Sequence, residues 1–208
     1  MLRIVLVTII SYLIGSIPTA YIFGRWLKGI DIRQYGSGNV GATNALRVLG
    51  KGPGIAVLLL DVIKGLVAVL FLGGLLEPEI NLIGSQARYI ILGLACISGH
   101  NWTVFLSFKG GKGVATTLGV LAGLAIKISG LKLILGLMLL TWLAVFLIAR
   151  IVSLASVIAA VSFPIYMLLF KQSRALFFTS LIFTAFILLR HKSNLKRIFQ
   201  GKEPRLKF

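Results

Sequence analysis

The sequence predicts an all-α fold: a polytopic integral membrane helix bundle of about seven transmembrane helices, with the N-terminus outside and the C-terminus cytoplasmic. Three observations predict it. Of 208 residues, 58% are hydrophobic and only 13% are charged, against roughly a quarter charged in a soluble domain. The apolar residues fall in long runs separated by short polar segments. The 22 Lys and Arg far outnumber the 5 Asp and Glu and cluster beside those runs, where cations set orientation and meet anionic headgroups. The whole chain, 1–208, is expected to form a single integral membrane domain.

About twenty apolar residues carry a helix across the hydrocarbon core. Spans are therefore expected near Leu2–Phe23, Gly54–Leu76, Tyr89–Leu106, Val114–Ile126, Leu133–Ala149, Ile151–Phe170 and Ala175–Leu189. The alternative is five spans with irregular segments. The first run imitates a signal peptide, with one Arg, an apolar stretch and a small residue, but is expected to be retained as a helix. In the second, Asp61 and Lys64 stand one turn apart and suit a structural intramembrane ion pair. The lone Cys96 lies in the third run, so no internal disulfide is expected. The fourth run is short for a crossing and is either a full span or re-entrant. Only Arg150 separates the fifth from the sixth, which demands a tight turn.

Charge bias orients the bundle. With the N-terminus outside, Arg3, Arg88, Lys127, Lys132, Lys171 and Arg174 lie outside, and every other Lys and Arg except intramembrane Lys64 lies inside. Glu77 and Glu79 fall on an outer loop. Three polar segments, 33–52, 99–117 and 190–205, then share the cytoplasmic face, which argues for one site.

The first segment contains GSGNVGATN, Gly36 to Asn44, with the G-x-G-x-x-G spacing of a dinucleotide fingerprint. That fingerprint needs a preceding strand and a βαβ unit. Here a span and a basic linker precede it, and Asp61, at the ribose-acid distance, lies inside an apolar run. The glycines instead allow the backbone to approach a phosphate. Ser37, Asn39, Thr43 and Asn44 add short polar groups, and Arg47 adds a fork suited to phosphate.

The second segment is GHNWTVFLSFKGGKGVATT, Gly99 to Thr117. Lys112 follows two glycines and opens an apolar run, so backbone donors, a helix dipole and an ammonium should converge on one anion. The spacer of a Walker A loop is missing, and Gly113 replaces its hydroxyl residue. His100, at the end of a span, reads more readily as a packed, hydrogen-bonded histidine than as a catalyst. In the third segment, RHKSNLKRIFQGKEPR, helical spacing puts His191, Asn194 and Arg197 on one broad face. Glu203 is expected to pair with an arginine.

Several chemistries are not supported. Two histidines and one cysteine in separate segments make no zinc site, and no G-x-S-x-G elbow is present. Neither histidine has aspartate at the fifth position, which is Phe105 or Lys196. No aromatic-basic motif turns the net charge of +17 toward nucleic acid. A small anion or organophosphate transporter is the alternative class, given Asp61, Lys64 and the short fourth run.

SGNVGATNALR, GHNWTVFLSFKGGKGVAT and HKSNLKRIFQGKE, in this order between apolar spans, resemble the bacterial PlsY family of acyl-phosphate:glycerol-3-phosphate acyltransferases. The resemblance covers essentially the whole chain. It implies transfer of an acyl group from acyl phosphate to the 1-hydroxyl of glycerol 3-phosphate, the first acylation of phospholipid biosynthesis, with no cofactor or metal. It implies a catalytic set of Ser37, Arg47, Lys112, His191 and Asn194. Gly38, Asn39, Gly41, Thr43, Asn44, His100, Lys109, Gly110, Gly111, Gly113, Thr116 and Arg197 are the implied substrate-binding set, and Glu203 is structural. Membrane lipids are the expected surroundings, in the inner or plasma membrane, and the protein is expected to act as a monomer.

Overall fold

A computed structural model describes residues 1–76, 84 and 86–206. Glu77, Glu79 and Lys207 lie outside the described residues. Ten α-helices and no strand occur among the described residues. The chain divides into two compact units, Met1–Lys127 and the segment from Ile128 onward.

The first unit holds α1 (Leu2–Ser16), α2 (Thr19–Lys28), α3 (Ala42–Leu49), α4, α5 (Ala87–Asn101) and α6 (Val114–Lys127). Helix α4 runs as Lys51–Val67, passes through a π-helical turn at Ala68–Leu72 and ends at Gly73–Leu75. Helix α1 lies close along α5 because small residues line the seam: a Cβ at Gly15 would meet the Cys96 carbonyl, and one at Gly99 the Tyr12 carbonyl. Side-chain hydroxyls complete the seam, Ser11 Oγ donating to the Leu92 carbonyl at 2.6 Å and Thr103 Oγ1 to that of Ser16 at 2.6 Å. Such approach and bonding hold helices together where apolar burial gives no driving force. Helix α6 meets α4 in the same manner, with Gly65 against the Thr116 carbonyl and Gly119 against that of Val62.

The second unit holds α7 (Leu131–Ala149), α8 (Val152–Leu169), α9 (Arg174–Arg190) and α10 (Lys192–Phe199). Helix α8 packs on both α7 and α9: Trp142 Nε1 donates to Ser156 Oγ at 3.1 Å, and Thr184 Oγ1 to the Ala160 carbonyl at 2.7 Å. The turn at Arg150 is tight as expected, with Arg150 left-handed at φ 56°.

Among the described residues four helices are long and apolar enough to cross a membrane, and up to six spans result if each of two bent helix pairs counts as one. The protein is a multi-pass, all-helical membrane protein. Two expected spans are not straight. Leu2–Phe23 breaks at Ile17–Pro18 with a 40° bend, because Pro18 lacks an amide N–H and disfavours helical backbone at the residue before it. The last span bends by 64° into α10 at His191, where the chain turns polar. The second begins at Lys51 rather than Gly54, with Pro53 tolerated in the first turn. Helix α6, at 14 residues, is about 21 Å long, short of a core of about 30 Å.

Candidate active site

No strand precedes the Gly36–Asn44 loop; a short turn, Ile32–Gln34, leads into it. Gly36 and Gly38 adopt φ of 60° and 70°, conformations that glycine takes without penalty. Asn44, on α3, is fully buried and staples the loop. Its Oδ1 accepts from the Ser37 N–H at 2.8 Å, and its Nδ2 donates to the carbonyls of Ile32 at 3.2 Å and Tyr35 at 3.1 Å. The Asn44 amide is thus committed to the loop rather than turned outward. A Cβ at Gly36 would collide with it.

The same loop leaves Ser37 exposed, Asn39 and Thr43 half-buried, and Arg47 exposed. Gly41 caps α3 in extended backbone. Among the described residues Arg47 has no hydrogen-bonded or ionic partner, so its guanidinium is open to an anion. Arg33 is different. It bridges to Asp31 at 2.6 Å, and that hydrogen bond holds the Asp31 carboxyl down to about 2. Lys28 is also occupied, donating to the Val48 carbonyl at the end of α3 at 2.7 Å.

In the second segment, Leu106 joins the buried cluster of Ile32, Val40, Ala45 and Leu49, which ties it to the first. Helix α6 opens at Val114, so Lys112 lies just before a helix N-terminus as expected, and Lys109 is exposed. The glycine amides differ from expectation. Gly110 N–H donates to the Asn101 carbonyl at 3.2 Å and Gly111 N–H to that of His100 at 2.9 Å. They close the loop onto the end of α5, so these two amides are already engaged within the protein. Gly113, at φ 77°, lies against the Asn101 amide.

Asn101 and Thr117 escaped sequence reasoning. Asn101 is fully buried, Thr116 is likewise, and Thr117 is 8% exposed; their side-chain polar atoms have no partner among the described residues. They put unsatisfied donors and acceptors at the start of α6. Asn101 read from sequence only as part of a glycosylation-like Asn-Trp-Thr. His100 is buried, with Nδ1 2.8 Å from Lys64 Nζ, and Lys64 pairs with Asp61 at 2.9 Å.

The third segment belongs to the second unit. His191 sits at the α9–α10 junction, 2% exposed, with Nδ1 2.8 Å from the Ile187 carbonyl. A carbonyl only accepts, so Nδ1 carries the proton. Glu203 gathers the neighbouring groups. It accepts from Ser153 Oγ at 2.7 Å, Arg197 Nε at 2.7 Å and Asn194 Nδ2. Burial pushes its carboxyl up, but these hydrogen bonds outweigh that and hold it below its ordinary value. Asn194 Oδ1 is buried without a partner among the described residues.

Comparison with known proteins points one way. The family model for glycerol-3-phosphate acyltransferase matches residues 5–201. A glycerol-3-phosphate acyltransferase of Synechococcus sp. (strain CC9902) is 46% identical, covering 99% of this chain and 96% of the relative. One from Desulforamulus reducens is 43% identical, covering 96% and 93%. The crystal structure of PlsY, an integral membrane glycerol 3-phosphate acyltransferase, in its glycerol 3-phosphate form superposes with a TM-score of 0.84 at 36% identity, over 98% of this chain and 96% of that one. Its lysophosphatidic acid form gives a TM-score of 0.81 at 35% identity, covering 98% and 95%. With matches spanning nearly its entire length, the chain belongs to the glycerol-3-phosphate acyltransferase family.

Proposed function

We propose that the chain, acting as a single domain, moves the acyl group of acyl phosphate to the 1-hydroxyl of sn-glycerol 3-phosphate. The products are 1-acylglycerol 3-phosphate and inorganic phosphate. Acylation of glycerol 3-phosphate in phospholipid synthesis follows from the family, and the solved relatives are described as glycerol 3-phosphate and lysophosphatidic acid forms. The observation that carries the donor is the pairing of two compact cationic loops: Ser37 with Arg47 on a stapled turn, and Lys112 before α6.

Both substrates are phosphate-bearing, and their repulsion must be offset by nearby cations. Arg47, Lys112 and Arg197 are assigned that task. The acceptor hydroxyl attacks the carbonyl carbon of the mixed anhydride, the C–O bond to phosphate breaks, and phosphate leaves with the electron pair. A substrate phosphate oxygen takes the hydroxyl proton, while His191 and Asn194 position the acceptor. Placement of an already activated donor supplies much of the acceleration. Asp61 and Lys64, which would suit a transporter, are closed on each other and on Thr19 and His100, which favours the enzyme.

The site is assigned to the cytoplasmic face of the inner or plasma membrane, with seven spans, the N-terminus outside, and a monomer as the working unit. Charge bias supports that orientation. The test is turnover by purified protein in detergent with labelled glycerol 3-phosphate. Lysophosphatidic acid should form with acyl phosphate and hardly at all with acyl-CoA; comparable rates with acyl-CoA as sole donor would refute the assignment.

A further inference from the structure

A polar cluster within the first unit takes no part in the chemistry above. Asp61 and Lys64 on α4 are 1% and 6% exposed. A buried ion pair costs solvation on both partners and is weak evidence for stability, so its surroundings matter. Thr19 Oγ1 donates to Asp61 Oδ1 at 2.7 Å. Lys64 Nζ donates to the Ile17 carbonyl at 3.3 Å, at the break before Pro18, and meets His100 Nδ1 at 2.8 Å. An ammonium has only donors, so Nδ1 is the acceptor and the ring proton lies on Nε2.

The far edge of that ring bears on the loop. A Cβ added at Gly111 would land on His100 Nε2, and the Gly111 N–H donates to the His100 carbonyl at 2.9 Å. Lys112 is the next residue. The ion pair therefore touches one side of the imidazole, and the turn that carries Lys112 touches the other.

We infer that Asp61 and Lys64 are positioning residues for the donor: the pair fixes the rotation of His100, and the His100 ring fixes the Gly111–Lys112 turn. This rests on the reading of Lys112 as a cation for acyl phosphate. The pair does not touch substrate. It acts through one ring, so its removal should weaken handling of the donor and leave the acceptor alone.

The test varies acyl phosphate and glycerol 3-phosphate independently with the purified full chain in detergent. The double variant Asp61→Asn/Lys64→Met removes both charges together. Donor KM should rise roughly ten- to a hundredfold, the scale of a small misplacement, while acceptor KM stays within about twofold. His100→Ala should give the same split, and the triple variant should be no worse than His100→Ala, because both changes act through the same ring. Equal rises in both KM values, or losses that multiply, would overturn the inference. Should the double variant not fold, His100→Asn decides. Its amide oxygen stands near the Nδ1 position and keeps Lys64 partnered, yet it withdraws the ring from Gly111, so donor KM must still rise. An unchanged donor KM there overturns the inference. A wild-type protein that turns over no acyl phosphate refutes the donor reading instead, and the wild-type arm keeps the two failures apart.

Discussion

His191 shows how one hydrogen bond limits the roles a side chain can take. With Nδ1 given to the Ile187 carbonyl, that nitrogen is not available to substrate. Nε2 of that tautomer holds a lone pair and can donate to a phosphate only as imidazolium, whereas glutamine's amide nitrogen reaches about as far as Nε2 and donates without a charge; asparagine reaches only the Nδ1 position. If the ring positions a phosphate, His191→Gln should keep about a tenth of kcat or more, and His191→Ala should lose a hundredfold or more. A general base would be missing from both variants, each then falling by roughly 10²–10⁴. Equal kcat losses at saturating substrates would assign the base to His191. Asn44 invites a comparable test. Its amide satisfies one N–H and two carbonyls of the loop, and each buried group left unpaired costs about 1–3 kcal/mol. Asn44→Ala should therefore lower the melting temperature in detergent and slow turnover. Asn44→Asp should be worse than alanine, because a carboxylate would face the carbonyl oxygens of Ile32 and Tyr35. A melting temperature for the aspartate variant at or above that of alanine contradicts this role.

Among the elements, α10 depends most on a single contact. It lies beyond a 64° bend and is too short and polar to be stable alone, but Glu203 ties its Asn194 and Arg197 to Ser153 at the start of α8. The Glu203 carboxyl is held below its ordinary value of 4.5. A depressed folded-state value means that the stabilisation is complete above 4.5 and is lost as the pH falls through the folded value. Wild-type protein should therefore lose melting temperature on acidification below about pH 4.5, whereas Glu203→Gln should begin lower and show a smaller acid-dependent drop. Asp31, held to about 2, contributes in both proteins and cancels in the difference. Parallel acid profiles would remove Glu203 as the latch. The helices themselves were legible from apolar runs, because span length and the Arg150 turn are local properties. The break before Pro18 was also written locally, yet hydropathy carried the expected span straight through it. The Glu203–Ser153 tie bridges fifty positions, and no local pattern announces it.

For the whole molecule, the three polar segments were recognisable as segments, while the division of labour inside them was not. Gly110 and Gly111 looked like phosphate donors, but their amides serve the end of α5. Asn101, which looked incidental, is buried beneath the α6 start. What the sequence supports most directly at this scale is orientation, because charge bias is additive along the chain. Labelling can test it with little alteration of the protein. The single native cysteine, Cys96, is fully buried, so wild-type protein should be inert to a membrane-impermeant maleimide and need not be stripped of its thiol. Gln34, Lys132, Arg174 and Gln200 are all exposed, so each can carry an introduced cysteine. In intact cells, Lys132→Cys and Arg174→Cys should label from outside, whereas Gln34→Cys and Gln200→Cys should label only after the membrane is opened. Both inner positions lie in motif-bearing segments, the first in the stapled-loop region and the second beside Glu203. Outside labelling at both would invert the proposed topology. Outside labelling at only one would separate the segments across the membrane, and a single site built from all three would be untenable.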